Sequence, residues 1–117
     1  MTAAASYTFP ATVTSAATVT ASVTHLTIRA CALYPDHRTP VLESHHICPK
    51  SWWIAAGRPV ASPLIDICGL CHNNAHAALD ALIRGLGLDR LARKPVALAR
   101  RGLMIAHQEG LTPKPTL

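Results

Sequence analysis

The period of the hydrophobic positions changes along this chain, and the change predicts where strands give way to helices. Residues 41–47 and 64–67 are short segments with aliphatic side chains; Pro40 and Pro49 lie on the two sides of the first, and Pro63 precedes the second. Short segments bounded in this way are typical of β-strands. The long loop between them has room for one short helical turn at residues 51–56. This half of the pattern predicts a β-hairpin.

A helical period follows the second strand. One helix face is formed by residues at the i, i+4, i+7 and i+11 spacing, namely His72, His76, Leu79 and Ile83. We expect this helix over residues 72–86, ended by Gly85 or Gly87. A last helix is expected from Pro95, a residue favoured at helix starts, to Glu109, with Gly110 after its end. The order of elements predicts a small α+β domain: a hairpin plus a helix, followed by a C-terminal helix.

The N-terminal 28 residues have a different composition. They contain no Asp, Glu, Lys or Arg and consist mainly of Ala, Thr, Ser and Val in weak alternation. This pattern fits either an edge strand or a disordered tail, and such small side chains bury too little surface to order themselves. We predict a disordered tail over 1–28, or an extension from a start codon chosen too early, then a hairpin-plus-helix domain over 29–88 and a C-terminal helix and tail over 89–117.

The core of so short a chain is small. Among 117 residues only five are aromatic, and much of the hydrophobic content is alanine. Without the N-terminal segment about 85 residues remain, near the size at which a metal ion or oligomerisation usually supplements the core. Trp52 and Trp53 could stack on nucleic acid bases, but in a domain with so few large side chains we expect them to pack in the core.

Cysteine and histidine residues supply the candidate metal ligands. Cys68 and Cys71 form a Cys-x-x-Cys pair, and an antiparallel hairpin brings the start of its first strand beside the end of its second. That arrangement places Cys31 and His37 next to the pair, so a closed, tetrahedral structural zinc site is predicted on these four residues. Cys48 competes with His37 for the fourth place. Alternatively, Cys31 and Cys48 are small buried hydrophobic residues.

The remaining histidines predict a second, open site. His72 and His76 lie one helical turn apart, a spacing that lets two imidazoles share one ion. A helix packed across the hairpin would face them toward His45 or His46. Neighbours on a strand point to opposite sides, so only one of this pair is expected to join the site. The other is suited to removing a proton from water, because imidazole titrates near neutral pH.

The net charge of +5 favours a polyanionic partner. Lys50 and Arg58, in the loop between the strands, are the candidates for phosphate contacts, while a solvated basic face is the simpler alternative. The N-terminal segment has neither the basic start nor the apolar stretch of a signal peptide, and it is too polar to span a membrane. Free thiols in a reducing, cytoplasmic compartment are therefore expected, rather than two disulfides.

The order of these residues resembles a known family. Leu42-Glu43-Ser44-His45-His46-Ile47-x-Pro49, a glycine-containing loop, and Ile67-Cys68-x-x-Cys71-His72-x-x-x-His76 are similar to the HNH (ββα-metal) endonucleases, especially the short stand-alone bacteriophage proteins. The similarity extends over residues 31–83. It implies a ββα-metal fold with a structural zinc knuckle.

The resemblance also implies an activity and the residues for it. His45, His72 and His76 would bind one catalytic divalent ion, Mg²⁺ or another such as Mn²⁺ or Ni²⁺, and His46 would be the general base that activates water. The implied reaction is hydrolysis of DNA phosphodiester bonds, with double-stranded DNA as substrate and a phage terminase as a candidate partner in genome packaging, in the host cytoplasm.

The chain departs from the family's pattern at two positions. The central asparagine, which braces the loop between the strands, is replaced by Pro63, with Ser62 adjacent. The first Cys-x-x-Cys of zinc-bearing members is missing, and Cys31 with His37 substitutes for it.

Two other interpretations compete with the endonuclease, and a third is excluded. The first is a noncatalytic zinc module that binds DNA or protein. The second is a c-type haem protein, attached at Cys68-x-x-Cys71-His72 with Met104 or His76 as the far axial ligand, which would require export. A zinc deaminase is excluded because its His-x-Glu motif is absent.

Overall fold

The computed structural model of this protein describes residues 27–113, so most of the N-terminal segment lies outside the described residues. The described part is a small α+β structure with two antiparallel two-stranded sheets and three helices. The elements are β1 (Arg29–Ala30), β2 (Arg38–Thr39), β3 (Glu43–His46), α1 (Lys50–Ala55), β4 (Leu64–Ile67), α2 (Gly69–Arg84) and α3 (Arg93–Glu109).

Strands β3 and β4 form the antiparallel hairpin that the sequence predicts. His45 pairs with Ile65 and His46 with Leu64. Successive side chains of a strand alternate between its two faces, so the adjacent histidines leave the strand in different directions, although both line one cavity. His45 is buried and His46 is half-buried. The hairpin therefore gives two neighbouring imidazoles two different environments.

A second small sheet was not predicted. Strands β1 and β2 pair on either side of the turn at 31–37, with Ala30 opposite Arg38. The backbone N–H of Cys31 donates to the carbonyl of His37 at 3.0 Å, which closes the turn. Two-residue strands are too short to show an alternating pattern in the sequence. Their pairing nevertheless brings Cys31 and His37 side by side.

The two long helices begin earlier in the chain than predicted, and each ends at a glycine that the sequence analysis named. Helix α2 begins at Gly69 because Cys68 caps it, its Sγ accepting the backbone N–H of Cys71 at 3.4 Å. Both long helices end in a glycine with φ near 70°, Gly85 and Gly110, a left-handed conformation that suits glycine. Within residues 27–113, no helix combines the length and the apolar character that crossing a membrane requires.

Helix α3 packs against the rest of the domain and contributes residues to both core clusters. The main core cluster joins α1, α2 and α3, and its members are Cys48, Trp52, Trp53, Ala78, Leu79, Ala99, Ala106 and Leu111. The tryptophan side chains are 4% and 2% exposed, which confirms the prediction that they pack in the core. A second cluster surrounds Cys31, Cys68 and Cys71 and includes Leu98 of α3. One helix thus supports both halves of the domain.

Gly102 allows α3 to approach the end of the hairpin closely. A Cβ at this position would overlap the backbone carbonyl of Ile47, the residue after His46. A backbone atom cannot move aside as a flexible side chain can. We expect Gly102→Ala to lower the free energy of unfolding by about 1–3 kcal/mol, the usual cost of overpacking, measured by chemical denaturation.

The matched control for this change is Gly87→Ala. A Cβ at Gly87 would meet no atom within 4 Å, and its φ is not in the left-handed region. This variant should therefore be as stable as the wild type or slightly more stable. Equal stability of the two variants would show that α3 does not depend on this close contact.

Candidate metal centres

Three cysteines and one histidine converge where the turn, the hairpin and α2 meet. One potential ligand atom from each of Cys31, His37, Cys68 and Cys71 lies within 4.8 Å of all the others. Nδ1 of His37 is 3.6 Å from Sγ of Cys68 and 3.4 Å from Sγ of Cys71. The structure therefore brings together the four residues that the sequence predicted as a zinc site, close enough to hold one ion.

The spacing of these atoms fits zinc. Tetrahedral coordination with Zn–S near 2.3 Å and Zn–N near 2.0–2.1 Å separates a sulfur from a nitrogen by about 3.5 Å. The two distances from His37 bracket that value. Three cysteines and one histidine are also among the usual donor sets of closed structural zinc sites.

The ionisation of the thiols also favours a bound cation. Burial opposes ionisation of Cys31, but backbone donors from Cys68, Tyr34 and Leu33 outweigh it and lower the pKa of Cys31 to about 7. Burial, and then the neighbouring thiols, raise the pKa of Cys71 to about 12. The protein alone thus favours the thiolate of Cys31 and opposes that of Cys71. A divalent cation would compensate the additional charge, which is the condition for zinc binding.

Cys48 does not belong to this centre. It is fully buried beside the tryptophans in the main core cluster. Burial is the largest influence on its thiol and raises the pKa. His37, and not Cys48, occupies the fourth place in the cluster, and Cys48 fits the alternative of a small buried hydrophobic residue.

Three histidines, one from β3 and two from α2, form a second cluster. The rings of His45, His72 and His76 have centroids 4.8–5.1 Å apart, and one nitrogen of each lies within 4.8 Å of the others. Nε2 of His72 is 3.1 Å from Nε2 of His76. Two nitrogens bound to one ion at about 2.0–2.1 Å and at angles of 90–110° are about 2.9–3.4 Å apart, so the pair has the spacing of two ligands.

Burial and the neighbouring imidazoles lower the pKa of two histidines in this cluster. Burial, followed by the nearby charges of His76 and His72, lowers the pKa of His45 to about 4. Burial and then His72 lower the pKa of His76 as well. A neutral imidazole has a free lone pair, whereas an imidazolium has none. The lowered pKa values of His45 and His76 therefore favour the neutral form, which can bind a cation.

Glu43 is a functional candidate that the sequence reasoning did not assign. Its Oε1 lies 2.6 Å from Nδ1 of His72, which leaves Nε2 directed at the other histidines. A carboxylate on the remote ring nitrogen fixes the orientation of a metal-binding histidine and raises its basicity. Glu43 begins β3 and its carboxylate reaches the start of α2 beside Gly69, where a side chain would crowd it. This residue links the hairpin to the helix at the candidate site.

We expect Glu43→Gln to weaken binding of a divalent ion to the histidine cluster by about 10–100-fold, the usual effect of losing such a partner. Isothermal titration of Ni²⁺ into protein that already contains one zinc per chain measures this affinity. Because Glu43 is exposed, thermal stability should change little.

The control for this variant is Asp66→Asn. Asp66 is a carboxylate on the same hairpin, but it accepts a hydrogen bond from Ser44 and does not contact a histidine. Its replacement should leave Ni²⁺ affinity unchanged. If Glu43→Gln binds Ni²⁺ as tightly as this control does, the carboxylate does not support the site.

His46 lies beside the histidine cluster in one open cavity. The cavity has a volume of about 320 Å³ and is lined by Ser44, His45, His46, Pro49, Lys50, Ser51, His72 and His76. Nδ1 of His46 is buried and has no hydrogen-bond partner among residues 27–113. The fourth histidine is therefore close to the candidate ion without being one of its three ligands.

The two residues suggested for phosphate contacts lie in different surroundings. Lys50 lines the cavity of the histidine cluster. The guanidinium of Arg58 is bound to the carboxylate of Glu109 at 2.6 Å and lies over the ring of Trp53, so it joins α3 to the segment after α1. These contacts give Arg58 a role within the fold and leave Lys50 as the better placed of the two for a phosphate.

The end of β3 is braced by the loop before β4. The backbone N–H of Cys48 donates to Oγ of Ser62 at 2.8 Å, and that of Ile47 donates to the carbonyl of Pro63 at 3.0 Å. Pro63 is where the resemblance expects a bracing asparagine. Its neighbour Ser62 supplies a side-chain acceptor for the residues that follow His46, a role that only the three-dimensional proximity of the two segments reveals.

Comparison of the chain with family models, with curated proteins and with solved structures finds no match.

Proposed function

We propose that this protein is a metal-dependent endonuclease of the HNH (ββα-metal) type that hydrolyses DNA phosphodiester bonds. One observation carries the proposal: a half-buried imidazole, His46, shares an open cavity with a cluster of three other imidazoles that has the spacing of metal ligands. A metal ion with four protein ligands has only a structural role, whereas an ion with three protein ligands has an open coordination position for water or substrate.

Each residue of the cavity has a role in this proposal. His45, His72 and His76 would hold one divalent ion, and Glu43 would keep His72 oriented. The bound ion would supply Lewis-acid stabilisation of the charge that develops on the phosphate and the leaving oxygen. His46 would accept a proton from the attacking water as the new P–O bond forms. The bond to the leaving oxygen breaks, and that oxygen takes a proton from solvent water. Lys50 binds a phosphate oxygen.

The second centre would serve the fold. Cys31, His37, Cys68 and Cys71 are a closed donor set among buried residues, with no role in the cavity of the histidines. We propose that zinc bound there ties the β1–β2 turn to the start of α2. Because α2 carries both Cys71 and His72, the structural ion would also fix the position of the catalytic ligands.

Incubation of supercoiled plasmid with the purified protein and Mg²⁺, Mn²⁺ or Ni²⁺ tests the proposal. Nicked or linear DNA should appear with at least one of these ions and should be absent when EDTA is present. If the folded, zinc-loaded protein cleaves no DNA with any of these three ions, the proposal of an endonuclease is ruled out.

A noncatalytic zinc module that binds DNA is the second candidate, since the closed cysteine centre is compatible with a purely structural metal. It predicts one zinc per chain and DNA binding without cleavage. A c-type haem attachment is disfavoured, because Cys68 and Cys71 are buried against His37 and would have to leave that cluster to reach a haem.

A further inference from the structure

One face of α3 is strongly basic. Residues 93–108 include four basic residues and no acidic residue, and the basic side chains are all exposed: Arg93, Lys94, Arg100 and Arg101. At 100° per residue they lie within a sector of about 120°. We call these four residues the α3 basic face. The opposite side of the helix is buried in the core, at Leu98, Ala99, Gly102 and Ala106.

The charges of the α3 basic face are not neutralised by side chains of the protein. The ion pairs among residues 27–113 are Arg58–Glu109, Arg84–Asp80 and His72–Glu43, and none includes a residue of this face. Glu109, the single acidic residue of α3, is occupied by Arg58. Residues 1–26 and 114–117 contain no Asp or Glu that could supply a partner. Lys94 donates from Nζ to the carbonyl of Leu33 at 2.8 Å and lies over the ring of Tyr34. The charges of the three arginines, Arg93, Arg100 and Arg101, are therefore the ones available to a ligand.

The face adjoins the hairpin that carries the candidate active site. Lys94 and Arg101 line a cleft of about 260 Å³ together with Ile65 of β4. Ile65 is the cross-strand partner of His45. Paired strands lie about 4.8 Å apart. The basic face is thus one strand away from a residue of the histidine cluster.

We infer that the α3 basic face binds the phosphate backbone of double-stranded DNA and holds it against the hairpin during cleavage. Arg93 and Arg100 are separated by about 10 Å along the helix axis. A duplex presents one negative charge per about 1.7 Å of its length, so a face of this size meets several phosphates. A membrane surface is a poorer fit, because the apolar side of α3 is already buried within the protein.

The choice of DNA as the ligand rests on the proposed function, so the test measures DNA binding separately from DNA cleavage. The variant Arg100→Gln/Arg101→Gln is made in a His46→Ala background, and fluorescence anisotropy follows a labelled 20-base-pair duplex between 50 and 200 mM salt. If each arginine contacts one phosphate, the slope of log affinity against log salt should fall in magnitude by about two, at about 0.9 per contact.

The matched control is Arg38→Gln/Arg84→Gln, which removes the same charge at exposed positions on β2 and at the end of α2. Its salt slope should remain closer to that of the parent protein. Equal slopes for the two double variants would overturn the inference, because the effect would then be one of net charge. Tight binding to phosphatidylserine vesicles, without binding to the duplex, would also overturn the inference.

The same variant without His46→Ala separates the two proposals. Loss of plasmid cleavage at 150 mM salt, with recovery at low salt, would support a role of the face in substrate binding. Duplex binding through the face by a wild-type protein that cleaves no DNA would leave this inference standing and remove the endonuclease. Cleavage that does not depend on the two arginines would remove the inference alone.

Discussion

Cys71→Ala should prevent the domain from folding stably, whereas Cys48→Ala should be tolerated. Both side chains are fully buried, so each substitution deletes one sulfur atom from the interior. For Cys48 the cost is that of a small cavity, about 0.5–1.5 kcal/mol by analogy with the loss of one methyl group. For Cys71 the lost atom is a proposed zinc ligand, and structural zinc binding is worth about 10–16 kcal/mol in small domains.

That energy is comparable to the entire stability of a typical domain, about 5–15 kcal/mol. Loss of one ligand should therefore abolish the cooperative thermal transition in circular dichroism and reduce the zinc content below one ion per chain. Addition of a strong chelator to the wild type should have the same effect. Two cysteine variants with equal melting temperatures and equal zinc content would contradict the assignment of the structural centre.

His46→Ala should abolish DNA cleavage without loss of either metal. A positioned general base typically contributes about 10²–10⁴-fold to the rate, and the plasmid assay should show a decrease in that range. Because His46 is half-buried and lies outside the three-histidine cluster, zinc content, Ni²⁺ affinity and the fold should be retained. His72→Ala should also abolish cleavage, but with a measurable loss of Ni²⁺ affinity.

The comparison of these two variants distinguishes a base from a ligand. His107→Ala, an exposed position near the end of α3, is the matched control for removal of an imidazole and should cleave as the wild type does. If His46→Ala retains activity within tenfold of wild type, another group activates the water. If it loses Ni²⁺ affinity as His72→Ala does, His46 is a ligand of the ion.

Local patterns in the sequence predicted most of the elements. The strand at 64–67 and the end of α3 at Glu109 were predicted with the bounds that the structure has. An aliphatic segment that begins after a proline and a glycine after a helix are local signals, so they need no knowledge of distant residues. The start of α2 was predicted three residues too late, since the capping role of Cys68 depends on its sulfur as an acceptor.

The contacts that connect distant segments could not be predicted in this way. Glu43 and His72 are 29 residues apart, and Arg58 and Glu109 are 51 apart. A charged residue in a short sequence has many possible partners, and the register of the hairpin and the packing of the helices select among them. Gly102 is a similar case, because its importance lies in how closely α3 approaches Ile47.

The sequence by itself determined the inventory of candidate ligands and their division into two sets. Strand alternation and the i, i+4 helical spacing are properties of the backbone, so the separation of His45 from His46 and the pairing of His72 with His76 followed from position alone. The antiparallel hairpin then predicted that Cys31 and His37 lie near Cys68 and Cys71, and the structure brings these four together.

Only the tertiary structure decided how those residues are supported. It brought Glu43 into contact with His72, and it placed the hydroxyl of Ser62 where it accepts the backbone N–H of Cys48. It also separated Cys48 from the cysteine centre and left the α3 basic face exposed beside the hairpin. The physical reason is that local periodicity specifies which face of an element is buried, whereas the partner of that face depends on packing between elements that are distant in the chain.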